Sequence, residues 1–286
     1  MLGVLQAYDA GSLVVRHSDS TLHQIHSGAV SAAKRIPPMP LRPVDVQQLF
    51  LTTALGRPAV ETSYVGQWLL RASEGWTGRA NSLLPAGDPE MPVSEALKRA
   101  EAFYTERGLP PLALVRLESP EAAEFGQLGW VDARPQQGDV LVLHTTLDLV
   151  NAAPGYKVTV SDKPDAAWYE AAFEGTPPAA APAVMEGAPK AAFASVELDG
   201  KVVAVGRGAM TGHWLGVDAV RVDPAYRRRG LGTAVLQGLA RWSGQLGGRR
   251  SYLEVVEDNV PALTTYTSLG YAVAYRYRYL TNQPPS

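Results

Sequence analysis

"DPAYRRRGLGTAVLQGL", residues 223–239, is the stretch on which the reading of this chain turns. Arg227, Arg228 and Arg229 run into Gly230-Leu231-Gly232 and then into an apolar pattern of helical spacing through Leu231, Val235, Leu239, Trp242 and Leu246. A phosphate-holding loop needs backbone N–H groups aimed at one point, glycines that leave the approach open, and a helix start behind it. Residues 227–233 supply all three: Gly230 and Gly232 bare the backbone, Thr233 begins the helical run, and the helix dipole adds positive potential. The arginines add charge without a metal. A Walker loop needs a lysine after its second glycine, and a dinucleotide fingerprint needs a further glycine where Val235 stands, so both are set aside. Gly-x-Gly before a helix is a weak signal alone, equally compatible with a solvated charge run. Its surroundings decide.

The 286 residues suggest two domains, and 46% hydrophobic with 19% charged residues is ordinary for a globular chain with a real core. A formal net charge of −2 gives no reason to expect nucleic acid or a membrane surface as partner. The absence of cysteine rules out disulfides, thiolate metal sites and cysteine nucleophiles, and fits a reducing cytoplasm. No signal peptide or spanning run is expected. A soluble, cytoplasmic protein is the expectation.

Residues 1–36 read as short strands, "SLVVRH", "TLHQIH" and "GAVSAAKRI", followed by the proline-rich linker "IPPMPLRP", with a boundary placed at 37–43. A first lobe is expected over 44–152. It starts with a helix at 44–56 that puts Val46, Leu49, Phe50 and Leu55 on or near one face. Next come a strand pair turning at Ser73-Glu74-Gly75 and a helix capped by Ser94 and ended by Gly108. Strand, short helix and strand complete it. A second lobe is expected over 153–286. Its elements are the strand "YKVTV", a short helix opened by proline, and a mobile Ala/Pro/Gly-rich loop at 174–190 with at most one helical turn. Then come a hairpin at Asp199-Gly200, the strand "HWLGVDAVRV", the helix 231–246, the strand "SYLEVV", a helix, and a last strand alternating Tyr271, Val273, Tyr275, Tyr277 and Tyr279 on one face. "FGQLGWVDARPQQGDVLVLHTTL" and "YTSLGYAVAYRYRYL" share Leu-Gly-aromatic before an alternating strand, which suggests a duplication.

"AVRVDPAYRRRGLGTAVLQGLARW" followed by "YLEVVEDNVPALTTYTSLGY" resembles the GNAT superfamily of acyl-CoA-dependent N-acyltransferases. Arg227, Gly230 and Gly232 take the positions of the family's Gln/Arg-x-x-Gly-x-Gly/Ala. Asn259, Ala262, Tyr266, Leu269, Gly270 and Tyr271 follow in order, so the resemblance covers residues 155–280. "VGQWLLRASEGWTGRANSLLP" with "EALKRAEAFYTERGLPP" is similar to a two-lobed bacterial subfamily with a small barrel-like N-terminal segment, whose members are often labelled histone-acetyltransferase-like. The fold this implies is α/β: tandem GNAT-type lobes, with a mixed, mainly antiparallel sheet flanked by helices, after a small β segment. The first lobe has "LLPAGDPEMPVSEAL" where the phosphate loop would stand, and Asp88 and Glu90 would repel a pyrophosphate, so a single cofactor site is expected, in the second lobe.

The resemblance implies acetyl-CoA as co-substrate and no metal. Its pantetheine arm would lie along the strand holding Val220, Arg221 and Val222, between strands 214–222 and 251–256. Its pyrophosphate would rest on the amides from Arg228 through Gly230, Leu231, Gly232 and Thr233, beside Arg227 and Arg229. A primary amine would attack the thioester directly, with Tyr266 as the proton donor to the thiolate and a backbone N–H such as that of Val222 polarising the carbonyl. Glu254, Glu257, Asp218 and His213 are all candidates for the base, Glu254 being carried forward as the catalytic residue. Asn259 suits either a helix cap or the cofactor arm, and Trp76, Arg79 and Asn81 either face the groove between lobes or pack locally. His17, His23, His26, His144 and His213 show no ligand spacing. A non-catalytic acyl-CoA sensor would keep the same loop, and a protein lysine would serve as acceptor as well as a small amine.

Overall fold

The computed structural model describes residues 3–8, 11–17, 21–32, 40–150, 155–173 and 175–283. Strands β1 (Val4–Tyr8), β2 (Ser12–Arg16) and β3 (Leu22–His26) make a three-stranded antiparallel sheet. Residues 33–39, which hold the end of the third expected strand and the start of the expected linker, lie outside the described residues; the described start of that expected strand is not a strand, and Ser27–Ala29 is a 3-10 turn.

Helix α1 (Pro43–Gly56) starts with proline in its first turn, where a missing N–H costs nothing. It buries Leu49, Phe50 and Ala54, while Leu55 is 58% exposed and not on the packed face. Strands β4 (Glu61–Val65) and β5 (Trp68–Ala72) follow, joined at Gly66, whose φ of 56° suits a tight turn. The hairpin expected around Ser73-Glu74-Gly75 is therefore corrected. Residues 73–81 instead wrap Asn81, whose Oδ1 accepts the amides of Ser73 (2.6 Å) and Gly75 (3.0 Å). Helix α2 (Val93–Thr105) buries the expected face of Ala96, Leu97, Ala100, Phe103 and Tyr104, but Pro92 and not Ser94 is its N-cap. Strand β6 (Ala113–Arg116), helix α3 (Pro120–Gln127, capped by Ser119), β7 (Val131–Asp132), β8 (Val140–Thr146) and α4 (Leu147–Val150) complete this half.

The second half runs β9 (Thr159–Ser161), α5 (Ala166–Phe173), α6 (Ala181–Glu186), β10 (Ala191–Leu198), β11 (Lys201–Thr211), β12 (Trp214–Val222), α7 (Leu231–Gln245), β13 (Arg250–Val256), α8 (Val260–Ser268) and β14 (Ala272–Thr281). Asp199 and Gly200, both at positive φ (53° and 77°), make the expected tight turn between β10 and β11. The segment expected as a mobile loop contains α6, because Ala181, Val184 and Met185 find a buried surface.

Nine strands form one sheet, in the order β6-β14-β8-β13-β12-β11-β10-β9 with β7 on the flank of β14. β8, from the first half, is inserted between β13 and β14 of the second, antiparallel to both. One cluster packs α7 on the second half: Leu231, Val235, Leu236 and Leu239 are at most 2% exposed, each worth roughly 1.5–3 kcal/mol of burial. A second cluster holds Trp68, Leu97, Tyr104, Phe125 and Trp130 of the first half. A third joins the halves through Phe50, Val142, Trp214, Tyr252, Tyr277 and Tyr279. The expected single face of β14 is broken: a bulge between Val273 and Tyr275 leaves Tyr271 in the first cluster while Tyr275, Tyr277 and Tyr279 face the third.

Candidate active site

β12 and β13 pair in parallel from Trp214/Arg250 to Val217/Leu253, and the pairing stops there. A bulge opens the gap: on β12, Ala219 and Val220 fall where β11 offers only Gly206, and Ala219 takes φ 51°, a left-handed conformation that an alanine rarely adopts. The strands splay around a cleft of about 450 Å³ whose walls include Trp76, Arg79, Phe173, Asp218, Glu254 and Tyr266. Asp223 donates its amide to the Val203 carbonyl of β11. Since amides alternate sides along a strand, the N–H of Val222 faces the splayed edge instead. The side chains of Val220 and Val222 pack on the core. Arg221 turns towards α5, its Nη1 3.4 Å from the carbonyl of Ala172, so its guanidinium does not join those of the loop.

Asp223 Oδ1 accepts the Ala225 amide (2.9 Å) and fixes a 3-10 turn over Pro224–Tyr226. Arg227 Nε then donates to the Val222 carbonyl at 3.3 Å, tying the loop to β12. Arg228 (φ 62°) and Gly230 (φ 80°) are left-handed around Arg229, an alternation that gathers successive amides into an anion-binding concavity. Tyr156 pins this loop by donating to the Arg229 carbonyl (2.9 Å). Gly230 is the N-cap of α7 and offers no side-chain acceptor, so the amides of Leu231, Gly232 and Thr233 have no partner among the described residues. A Cβ at Gly232 would meet only Val222 Cγ2, at an ordinary 3.6 Å. Nothing in the protein itself requires glycine there. The side chains of Arg227, Arg228 and Arg229 are exposed, and none forms an ion pair with a described residue.

On the other wall, Asn259 both caps α8, accepting the Ala262 amide at 3.2 Å, and lines the cleft. Tyr266 lies about two helix turns beyond Asn259. Its hydroxyl has no described partner, and burial raises its pKa, so the phenol keeps its proton at neutral pH.

Two of the four candidate bases line the cleft. Glu254 Oε2 accepts from Arg79 Nε and from the Tyr277 hydroxyl (2.6 Å), leaving Oε1 to the cleft. Asp218 Oδ2 accepts from Arg57 (2.9 Å) and Arg207 (2.7 Å), while its buried Oδ1 has no partner. Burial works against the Asp218 charge, but the two guanidiniums outweigh it and hold its pKa below the ordinary value. Between these carboxylates, Tyr252 and Arg57 enclose a cavity of about 20 Å³, room for one water. Glu257 pairs with Arg276 (3.0 Å), and His213 stacks on Trp214 at the closed end of the strand pair; neither lines the cleft. Trp76 and Arg79 do, whereas Asn81 organises its own loop. Sequence reasoning missed Arg57, Arg134 and Arg207, which lie far apart along the chain with no local pattern. Among the described residues, no group of three or more His, Asp or Glu is placed to hold a metal, and no helix is long and apolar enough to cross a membrane.

Residues 44–280 match the family described as probable histone acetyltransferase Rv0428c C-terminal. The chain is 27% identical to the probable histone acetyltransferase Rv0428c of Mycobacterium tuberculosis, over 99% of this chain and 88% of that one. It is 26% identical to a Bacillus subtilis chain named uncharacterized N-acetyltransferase YobR, over 82% and 98%. Among solved structures it is similar in fold to a GCN5-related N-acetyltransferase from Kribbella flavida (TM-score 0.64, 18% identity, 84% and 96% covered). It is also similar to a tandem GNAT protein from the clavulanic acid pathway (TM-score 0.54, 14% identity, 90% and 92% covered).

Proposed function

Because the chain belongs to the family described as probable histone acetyltransferase Rv0428c C-terminal, we propose that it is a GNAT-type N-acetyltransferase that moves the acetyl group of acetyl-CoA to a primary amine by direct attack. The observation that carries this reading is the unpaired edge of β12 beyond Val217, flanked by the uncapped amino end of α7. The residues suit the co-substrate. Amides of Leu231, Gly232 and Thr233, with Arg227 to Arg229, complement a pyrophosphate, and the bare Gly232 lets it approach the backbone. The splayed edge at Val220 and Val222 offers strand-like hydrogen bonds to an amide-bearing arm, with Asn259 beside it.

In the reaction, the amine nitrogen bonds to the acetyl carbon and the carbon–sulfur bond breaks. The Val222 N–H polarises the carbonyl oxygen. Tyr266 gives its proton to the departing thiolate and regains one from solvent. The amine arrives protonated and gives up two protons, one before it attacks and one after the carbon–nitrogen bond forms; both pass towards Glu254 Oε1 and Asp218 Oδ1, through a water in the small cavity they share, and then to bulk. The products are the N-acetyl amine, the free thiol and one proton. Tyr266→Phe tests this: thiol release with an accepted amine should fall by about 10²-fold or more, with acetyl-CoA affinity retained. Undiminished turnover would remove Tyr266 from the chemistry.

A further inference from the structure

We infer that the acetyl acceptor is an amine bearing a carboxylate, and that Arg134 binds that carboxylate; this rests on the acetyltransferase reading above. The cleft wall carries three guanidiniums, Arg57, Arg79 and Arg134, against two carboxylates, Asp218 and Glu254. Both carboxylates are already matched: Asp218 by Arg57 and by the fully buried Arg207 behind it, Glu254 by Arg79. Arg134 is different. Its backbone amide donates to Asp132 Oδ1 (2.8 Å), but its guanidinium forms no ion pair and no hydrogen bond with a described residue, so it is the surplus positive charge of the cleft.

The site around Arg134 is built. Its guanidinium carbon sits 4.2 Å from the centre of the Tyr279 ring, which orients the planar fork. A Cβ at Gly78 would lie 2.6 Å from Arg134 Nη2 and 2.8 Å from Tyr279 Cζ, so glycine makes the space that this pair occupies. Gly78 has no positive φ to explain it otherwise. An arginine fork with free donors in a half-enclosed cleft matches a carboxylate in two parallel hydrogen bonds. A polyamine or a lysine in a basic peptide would instead bring further positive charge to a wall already in cationic excess, at a cost in repulsion. Trp76 and Phe173, with ring centres 5.6 Å apart, line the same cleft and offer an apolar surface to the body of the acceptor. The acceptor this describes has an amine for the thioester, a carboxylate for Arg134, and an apolar side chain for the Trp76 and Phe173 rings. The bonds made and broken are those of the preceding subsection.

Matched pairs that differ only in the carboxylate test it: L-phenylalanine against phenethylamine and L-tryptophan against tryptamine, with a lysine-rich basic peptide alongside. Wild-type protein should favour the acid of each pair by tenfold or more in kcat/KM. Arg134→Met should collapse that preference through KM, with acetyl-CoA affinity retained. Binding provides a readout independent of turnover: N-acetyl-L-phenylalanine should bind the protein–coenzyme A complex at least tenfold tighter than N-acetylphenethylamine, and Arg134→Met should erase the difference. Preference for the amine or the basic peptide, equal or absent binding of the two acetylated products, or a preference that survives Arg134→Met would overturn the inference. Acetyl-CoA titrated into the same sample separates the two claims, since failure to bind it defeats the acetyltransferase reading itself.

Discussion

Arg71 on β5 and Arg207 on β11 are two buried arginines, 2% and 0% exposed, in different surroundings. Arg207 on β11 lies opposite Asp218 of β12 and makes a charged pair with it. Arg71 on β5 lies where the register through Leu69 and Leu84 sets Ser82 opposite, and it donates to the Ser82 carbonyl (3.0 Å) and hydroxyl (2.8 Å). The first half keeps the topology in reduced form: Leu84 bridges β5 antiparallel and Leu83 bridges Ala113 of β6 in parallel, in place of the full strand β12. The helix starts differ likewise. α7 begins behind a left-handed glycine with its amides open, whereas the loop before α2 folds on itself, with Gln67 donating to the Asp88 carbonyl (2.8 Å) and the Glu90 amide to Asp88 Oδ1 (2.7 Å). In the first half the buried arginine is a structural peg; in the second it holds a carboxylate that lines a cleft.

That contrast predicts unequal costs. Arg207→Met strips a guanidinium from a mostly buried carboxylate and should cost about 3–5 kcal/mol of stability, read by denaturant unfolding. A loss below about 1 kcal/mol would show that Arg57 alone neutralises Asp218. His144, on the strand that joins the halves, comes next. Burial, helped by the charge of Arg250, lowers its pKa to about 4. The unfolded chain, with an ordinary histidine near 6.5, takes up the proton first on acidification. Stability should therefore be lost as pH falls from about 6.5 towards 4, by roughly 3 kcal/mol, and His144→Leu should flatten that slope. Arg71→Met leaves neutral acceptors behind and should cost less, about 1–3 kcal/mol. The smallest effect is expected at Glu90, which is left-handed at φ 58°. Glu90→Gly relieves that strain, should stabilise by about 1 kcal/mol, and should leave acetyl-CoA affinity unchanged, since its loop is not the proposed phosphate site.

Much of the second half was legible because its signals are local. Asp199-Gly200 dictates a turn by conformation, the spacing from Leu231 to Trp242 dictates a helix face, and Gly230 stands where a left-handed residue must. The first half misled where side chains and not backbone propensity set the path, as in the loop around Asn81. The insertion of β8 between β13 and β14 had no sequence signature, because choice of strand partner depends on surfaces more than a hundred residues apart. The same holds for the site. Tyr266, Asn259 and the arginine loop enter the proposed site through the resemblance to the GNAT motif, while the matching of Glu254 by Arg79 and of Asp218 by Arg57 and Arg207 exists only once the halves are packed together.

The central claim, one acetyl-CoA site and that in the second half, is tested most directly by calorimetric titration of acetyl-CoA into the wild-type protein and a Gly232→Asp variant, in which the new side chain has room but carries negative charge to the open amides of α7. The account predicts one equivalent bound by the wild type and an affinity at least a hundredfold weaker in the variant. Two equivalents, or an affinity that Gly232→Asp leaves untouched, would contradict it.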